Sequence, residues 1–386
     1  MSEPAPRLLV GTTKGAFILT GTAGRERWSV RGPLCDGWPI NHVVGDPRSG
    51  TVWAGGGSEW NGAGVFRSTD GGTSWTLSKL TVGEVDRWAE KDPDFAASIG
   101  WRAQPMPFGD RFAQVWSLAR VGDRLYAGTK PAALLVSEDD GLTWSEVESL
   151  TEHPSVPGWS PGAAGLVLHT IISDPAAPEK LWLGISAAGV FASKDGGGAW
   201  ERRNALVDGG LTGGASGADH PGGPGDGEVG HCVHNLVRAP GPADVLYQQN
   251  HVGVWRSDDG GQTWLDITDG LPSTFGFPIQ VHPQDPQTVW TIPLNGDMEG
   301  RYPPAAAAAV WRSRDGGRSW QDQRAGLPQE ACYFTVLRQA MGVDRLEPAG
   351  VYFGTNTGSV FASRDEGKTW AEAARHLPTV LSVEVL

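Results

Sequence analysis

Six copies of one eight-residue motif run through this chain, at Ser68–Trp75, Ser137–Trp144, Ser193–Trp200, Ser257–Trp264, Ser313–Trp320 and Ser363–Trp370, each fitting S-x-D-x-G-x-[TSA]-W. Each copy follows a short apolar run such as Gly64-Val65-Phe66, Gly189-Val190-Phe191 or Gly253-Val254-Trp255. A period of roughly 50 to 70 residues with this content marks an array of small β units. The array runs from end to end, so the 386 residues read as a single domain, 1–386, rather than two. The repeat is scaffold, so function is expected where the repeat breaks.

Residues 168–204 show how one unit is built. Leu168–Ser173 is apolar and β-branched and ends at Asp174-Pro175; Leu181–Ile185 and Gly189–Ala192 follow as strands, and Trp200 opens a fourth. Runs of four to six such residues between Gly, Pro and Asp turns predict strands. The motif therefore occupies the hairpin between the third and fourth strands. Its Asp can accept backbone N–H bonds in the turn, its Gly supplies a positive φ, and its Trp buries a large ring between neighbouring sheets. Glycine (55 residues) and proline (28) supply the tight turns that such an all-β array needs.

The motif resembles the Asp-box, or BNR, repeat of sialidases, sortilin-type receptors and related β-propellers, and the resemblance covers nearly the whole chain. It implies a propeller fold. Leu8–Leu19 with Trp28 reads as a degenerate unit that has lost its Asp-box, and Val380–Leu386 reads as a lone alternating strand. That last strand can complete the first blade and close the ring, which removes exposed edges. The expected fold is an all-β, seven-bladed β-propeller with outer-strand tryptophans Trp28, Trp75, Trp144, Trp200, Trp264, Trp320 and Trp370. Sialidases that resemble this repeat have six blades.

Composition narrows the partners. A net charge of −13 argues against nucleic acid and anionic membranes. There is no apolar stretch of membrane-spanning length and no apolar run near Met1–Arg7, and Cys35, Cys232 and Cys332 have no CxxC spacing. A cytoplasmic protein with free thiols is expected.

Loops alternate between two faces in a four-stranded blade. The Asp-box hairpins share one face, and its turns are short apart from Gly342–Gly350. The long insertions Thr76–Gln114, Ser145–Gly165, Glu201–Gly230 and Gly296–Ala308 fall on the other. Long loops on one face of a rigid scaffold carry function more often than not. The starts of the inner strands line the channel on that face, at about His42, Trp116, His169, His234, Phe277 and Tyr333; the matching ends of the second strands are Glu59, Lys130, Ser186, His251 and Asn356. Four of the nine histidines thus converge, with His231 and Glu228 close by and a polar run Tyr247–His251 that includes Asn250.

Three readings follow. His42, His169 and His234 can meet near the axis as a three-histidine site for zinc, iron or manganese. Alternatively, the histidines with Trp116, Asn250, His251 and Tyr333 form a metal-free pocket for a small molecule or carbohydrate. In that pocket His231 is the candidate base, and Glu59 or Glu228 the acid partner. Or they are internal struts, and the top face binds another protein. The small-molecule reading leads, with hydrolytic or lytic chemistry as its candidate activity and glycosides as the favoured substrate class. A glycosidase needs two carboxylates flanking the scissile bond, and Glu59, Asp110, Glu228 and Asp297 are the top-face candidates. Glu84, Asp86, Glu90 and Asp92 read as solvated. Cys232 reads as a small buried hydrophobe.

The resemblance also implies where sialidase chemistry would sit, and the chain departs from it. Arg7-Leu8-Leu9 stands where an Arg-Ile-Pro-type motif belongs. Arg67, Arg256, Arg312 and Arg364 adjoin the Asp-boxes on the wrong face, and Arg87, Arg102, Arg111 and Arg301 form no triad in loops. The Gly/Pro-rich run Gly209–Gly227 reads as a lid or an unordered loop.

Overall fold

The computed structural model describes residues 5–207 and 227–386, so Gly209–Gly227 lies outside the described residues save for Gly227 itself. Seven antiparallel sheets surround a central channel. Blade four shows the regular unit, Val167–Asp174, Ala177–Ser186, Gly189–Ser193 and Glu201–Arg202, from channel to rim. The other inner strands are Ile40–Gly45, Gln114–Val121, Val233–Arg238, Gly276–Val281 and Met341–Val343 for blades two, three, five, six and seven. In blade one the inner strand is Val380–Val385, paired with Arg7–Thr12 so that Leu8 faces Val385 and Val10 faces Val383. The ring closes as expected. Blade five carries an additional short strand, Ala205–Leu206, parallel to its outer strand.

The core lies between blades, because each sheet buries both faces against its neighbours. Aromatic residues of the second strands tie the ring together through the next Asp-box turn. Trp53 Nε1 donates to Asp140 O at 2.7 Å, Trp182 Nε1 to Gly260 O at 2.9 Å and Trp290 Nε1 to Glu366 O at 3.1 Å. The insertion after blade two folds into helices Glu84–Lys91 and Pro93–Ser98. No helix among the described residues is long and apolar enough to cross a membrane.

Every Asp-box closes on itself. Ser68 Oγ donates to Asp70 Oδ1 at 2.8 Å and accepts from Gly72 N–H at 2.8 Å, while Asp70 accepts the Ser74 amide and hydroxyl. The same pattern recurs at Asp139, Asp259, Asp315 and Asp365, and at Asp195 without the hydroxyl, because Ala199 donates only its amide. These donors hold all six carboxyls below the usual aspartate range. At Asp70 the Ser74 hydroxyl leads and at Asp195 the Ser193 hydroxyl does; at Asp139, Asp259, Asp315 and Asp365 burial pushes the other way and the hydroxyl and amide donors outweigh it. A carboxyl depressed in the folded state contributes stability above its unfolded pKa of about 3.9 and loses it as pH falls through the folded value. The urea midpoint should therefore hold steady from neutral pH to about 4 and drop below it. In Asp139→Asn the drop should be shallower; a midpoint indifferent to acid in urea melts across this range would refute the linkage.

Candidate functional site

Near the start of the inner strands of blades two to five, one residue bulges out of the ladder. Pairing skips Asn41 between Ile40 and His42, Trp116 between Val115 and Ser117, His169 between Leu168 and Thr170, and His234 between Val233 and Asn235. Blade six skips Phe277 and Pro278. A bulge re-aims its side chain. Here the side chains reach the carbonyl just before the next blade's bulge: Asn41 Nδ2 to Val115 O at 2.8 Å, His169 Nε2 to Val233 O at 2.9 Å, His234 Nδ1 to Gly276 O at 2.6 Å. His42 is one position out of phase with these residues. It matches Ser117, Thr170 and Asn235 instead.

The expected cluster divides along the channel. At the mouth, a cavity of about 370 Å³ is walled by Ser160–Ala164 of the insertion between blades three and four and lined by His231, Cys232, His234, His251, Phe275, Phe277, Asp297, Arg301 and Arg338. Further along the inner strands, a smaller space of about 140 Å³ holds His42, His169, Gln339 and Glu384. His42 Nδ1 accepts the Leu118 N–H at 2.9 Å and Nε2 faces Glu384 Oε1 at 3.0 Å. His169 uses Nε2 on Val233 O and places Nδ1 2.8 Å from Thr170 Oγ1. Both nitrogens of His42 and of His169 are engaged, and these two rings line the smaller space while His234 lines the mouth, so the three histidines share no centre. His42 and His169 are struts between blades. An open hollow of about 480 Å³ lies towards the Asp-box face, lined by Arg345 and by Arg238, which is already paired with Asp174 at 3.1 Å and Asp244 at 3.2 Å.

The mouth cavity is electrostatically unusual. Arg338 stands 5.1 Å over the Phe277 ring, and its Nε has no hydrogen-bond partner among the described residues. Burial lowers the Arg338 guanidinium to about 10. Burial, then the Arg338 charge, drives His234 well below the ordinary histidine range, so it is neutral at pH 7. Burial also raises the Cys232 thiol, against the pull of Ser186 and Arg338. Asp297 accepts from Arg301 Nε at 2.6 Å and lies 3.6 Å from His251 Nε2. His231 Nε2 meets Glu228 Oε2 at 2.8 Å, and Arg202 Nη2 reaches the same oxygen at 2.8 Å.

Other expected residues stand apart. Glu59 is exposed at the turn after Val52–Ser58 and lines neither space. Trp116 is half-buried, with Lys130 Nζ 5.8 Å from its ring. Asn250 is fully buried and donates to Gly230 O at 2.5 Å, holding the loop that carries His231. Tyr333 is 64% exposed and packs on Tyr302, because the inner strand of blade seven begins only at Met341. Asp110 is exposed beside Arg87. Asp86, expected in solvent, is fully buried. Arg338 went unrecognised in the sequence, although a lone cation inside the apolar run Phe334–Met341 is a signal of a buried charge.

No protein-family model matches the chain. The oligoxyloglucan-reducing end-specific xyloglucanase of Emericella nidulans is 26% identical over 223 residues, which cover 52% of this chain and 25% of that enzyme. The chain spans a quarter to a third of the length of the curated relatives it matches. The GH74 xyloglucanase structure from Xanthomonas campestris superposes with a TM-score of 0.59 at 18% identity, over 99% of this chain and 52% of that one. YCF48 bound to D1 peptide superposes with a TM-score of 0.52 at 14% identity, over 96% of this chain and 84% of that one. The chain is thus a seven-bladed β-propeller of the fold shared with these structures, and half of its sequence is similar to that of a xyloglucanase.

Proposed function

We propose that this chain is a glycosidase-like propeller whose mouth cavity receives a carbohydrate unit. The observation that carries the reading is the cavity itself, which the Phe275 and Phe277 rings line together with Asp297, Arg301 and the histidines. Ring faces next to convergent polar groups suit a sugar. The sequence similarity to xyloglucanases supports the same substrate class. Glycoside hydrolysis uses two carboxylates. Asp297 lines the cavity, and Glu228 stands behind His231 at its edge. These two are the candidate pair, with Arg301 and His231 orienting them.

The test is release of reducing sugar from a panel of xyloglucan and other glucan oligosaccharides. Asp297→Asn should lower turnover roughly 10²–10⁴-fold, with calorimetry still showing ligand binding. A folded wild-type chain that neither binds nor cleaves any member of the panel would overturn the reading. A protein-interaction role draws on a different observation: Trp60 and Trp88 are 44% and 55% exposed, with ring centroids 5.3 Å apart. It gains ground if Trp88→Ser abolishes a cross-linked partner that Asp297→Asn retains.

A further inference from the structure

Cys232, His234 and His251 place one ligand atom each within 4.8 Å of one another, the one such group of three among the described residues. Cys232 Sγ and His234 Nε2 are 3.7 Å apart. Tetrahedral zinc with a sulfur at about 2.3 Å and a nitrogen at about 2.0 Å separates those two ligands by about 3.5 Å. The pair is therefore already at coordination distance, and the His251 nitrogen has to close from within 4.8 Å.

The chain builds this triangle from one blade. Cys232 and His234 flank Val233 at the start of the inner strand, and the bulge turns His234 inward. His251 follows the second strand, and its N–H donates to Cys232 O at 3.0 Å, which pins the turn against the thiol.

The surrounding atoms are those a metal site requires. His234 Nδ1 donates to Gly276 O at 2.6 Å, so the proton sits on Nδ1 and the Nε2 lone pair faces the sulfur. Ser186 Oγ lies 3.7 Å from Cys232 Sγ, placed to donate to a thiolate. Asp297 Oδ2 lies 3.6 Å from His251 Nε2, where it can orient that ring. The remaining direction opens on the mouth cavity. Three protein ligands with one open position is the arrangement of catalytic rather than structural zinc.

We propose that Cys232, His234 and His251 form a zinc site facing the mouth cavity. On binding, the thiol loses its proton to solvent and its sulfur lone pair makes the metal bond. One sulfur and two imidazole nitrogens suit zinc and its spectroscopic substitute cobalt(II); magnesium and calcium prefer oxygen ligands. The assignment does not rest on the carbohydrate reading, since metal binding is read with no substrate present.

The experiment is titration of the chelator-treated full-length chain with Co²⁺. One equivalent should produce a near-ultraviolet thiolate-to-cobalt charge-transfer band together with visible d–d bands, all bleached by Zn²⁺. Cys232→Ser should abolish the charge-transfer band with the circular dichroism unchanged. His251→Asn should weaken Co²⁺ affinity by roughly 10–100-fold or more. His42→Gln, a strut elsewhere in the channel, should leave the spectrum intact. A folded wild-type chain that gives no charge-transfer band, or a band that survives Cys232→Ser, overturns the site. Should Cys232→Ser fail to fold, an unaltered band and affinity in His251→Asn would overturn it equally.

Discussion

Truncation after Thr379 should abolish cooperative folding. Residues Val380–Val385 are the inner strand of blade one, and the chain places Gly11 against them where any larger residue would collide. A Cβ there would lie 2.5 Å from Ser382 Oγ and 2.6 Å from Ile40 O. Val380 and Val383 are fully buried in the cluster that joins blades six, seven and one. Exposing each costs about 1.5–3 kcal/mol. The cut also strips the ladder from Arg7–Thr12 and removes Glu384 from His42. Against a net stability of about 5–15 kcal/mol the combined loss is decisive, and the freed strand edge invites self-association. Thermal melts by circular dichroism, with light scattering, test this. A truncated monomer that melts within a few degrees of the full chain would show that the ring does not depend on its closing strand.

Asp86→Ala should destabilise the protein by about 3–5 kcal/mol. Lys79 Nζ sits 2.5 Å from both Asp86 oxygens, and the two side chains are 4% and 0% exposed. Asp86 also accepts Gly83 N–H at 2.8 Å and Trp101 Nε1–H at 2.9 Å, so one carboxylate holds the outer strand of blade two, the start of helix Glu84–Lys91 and the segment after helix Pro93–Ser98 together. Removing it leaves an ammonium buried without its counter-charge. Urea unfolding measures the loss, and Lys79→Met combined with Asp86→Leu should recover most of it, because an apolar pair leaves no buried charge. A loss of less than ~1 kcal/mol in Asp86→Ala would mean that water reaches Lys79 and that the pair is of the weak surface kind.

The reading of Asp86 as solvated failed for a physical reason that applies widely in this chain. Glu84, Asp86, Glu90 and Asp92 are equivalent as sequence, and only the packing of Lys79 and Trp101 against one of them makes it different. The same limit appears at the mouth. His231, His234 and His251 could be placed there because strand order assigns loops to faces. Tyr333 could not, because the path from Arg324 to Ala340 has no strand period to locate it. His42 was misplaced by a single residue, since a bulge changes which side chain faces the channel without leaving a mark on composition.

The repeat was determined by sequence alone because its interactions are local, and the closure because Val380–Leu386 is left over as a lone strand where the first blade lacks one, although it pairs with distant residues Arg7–Thr12. Each Asp-box satisfies its Ser, Asp and Gly within five residues, so the motif carries its own geometry wherever it occurs. The site was decided by tertiary structure. Cys232 meets Ser186 across two blades, His234 leans on blade six, and Arg338 arrives from the segment before blade seven. Contacts between residues tens of positions apart depend on bulges and blade packing, and no local pattern specifies those.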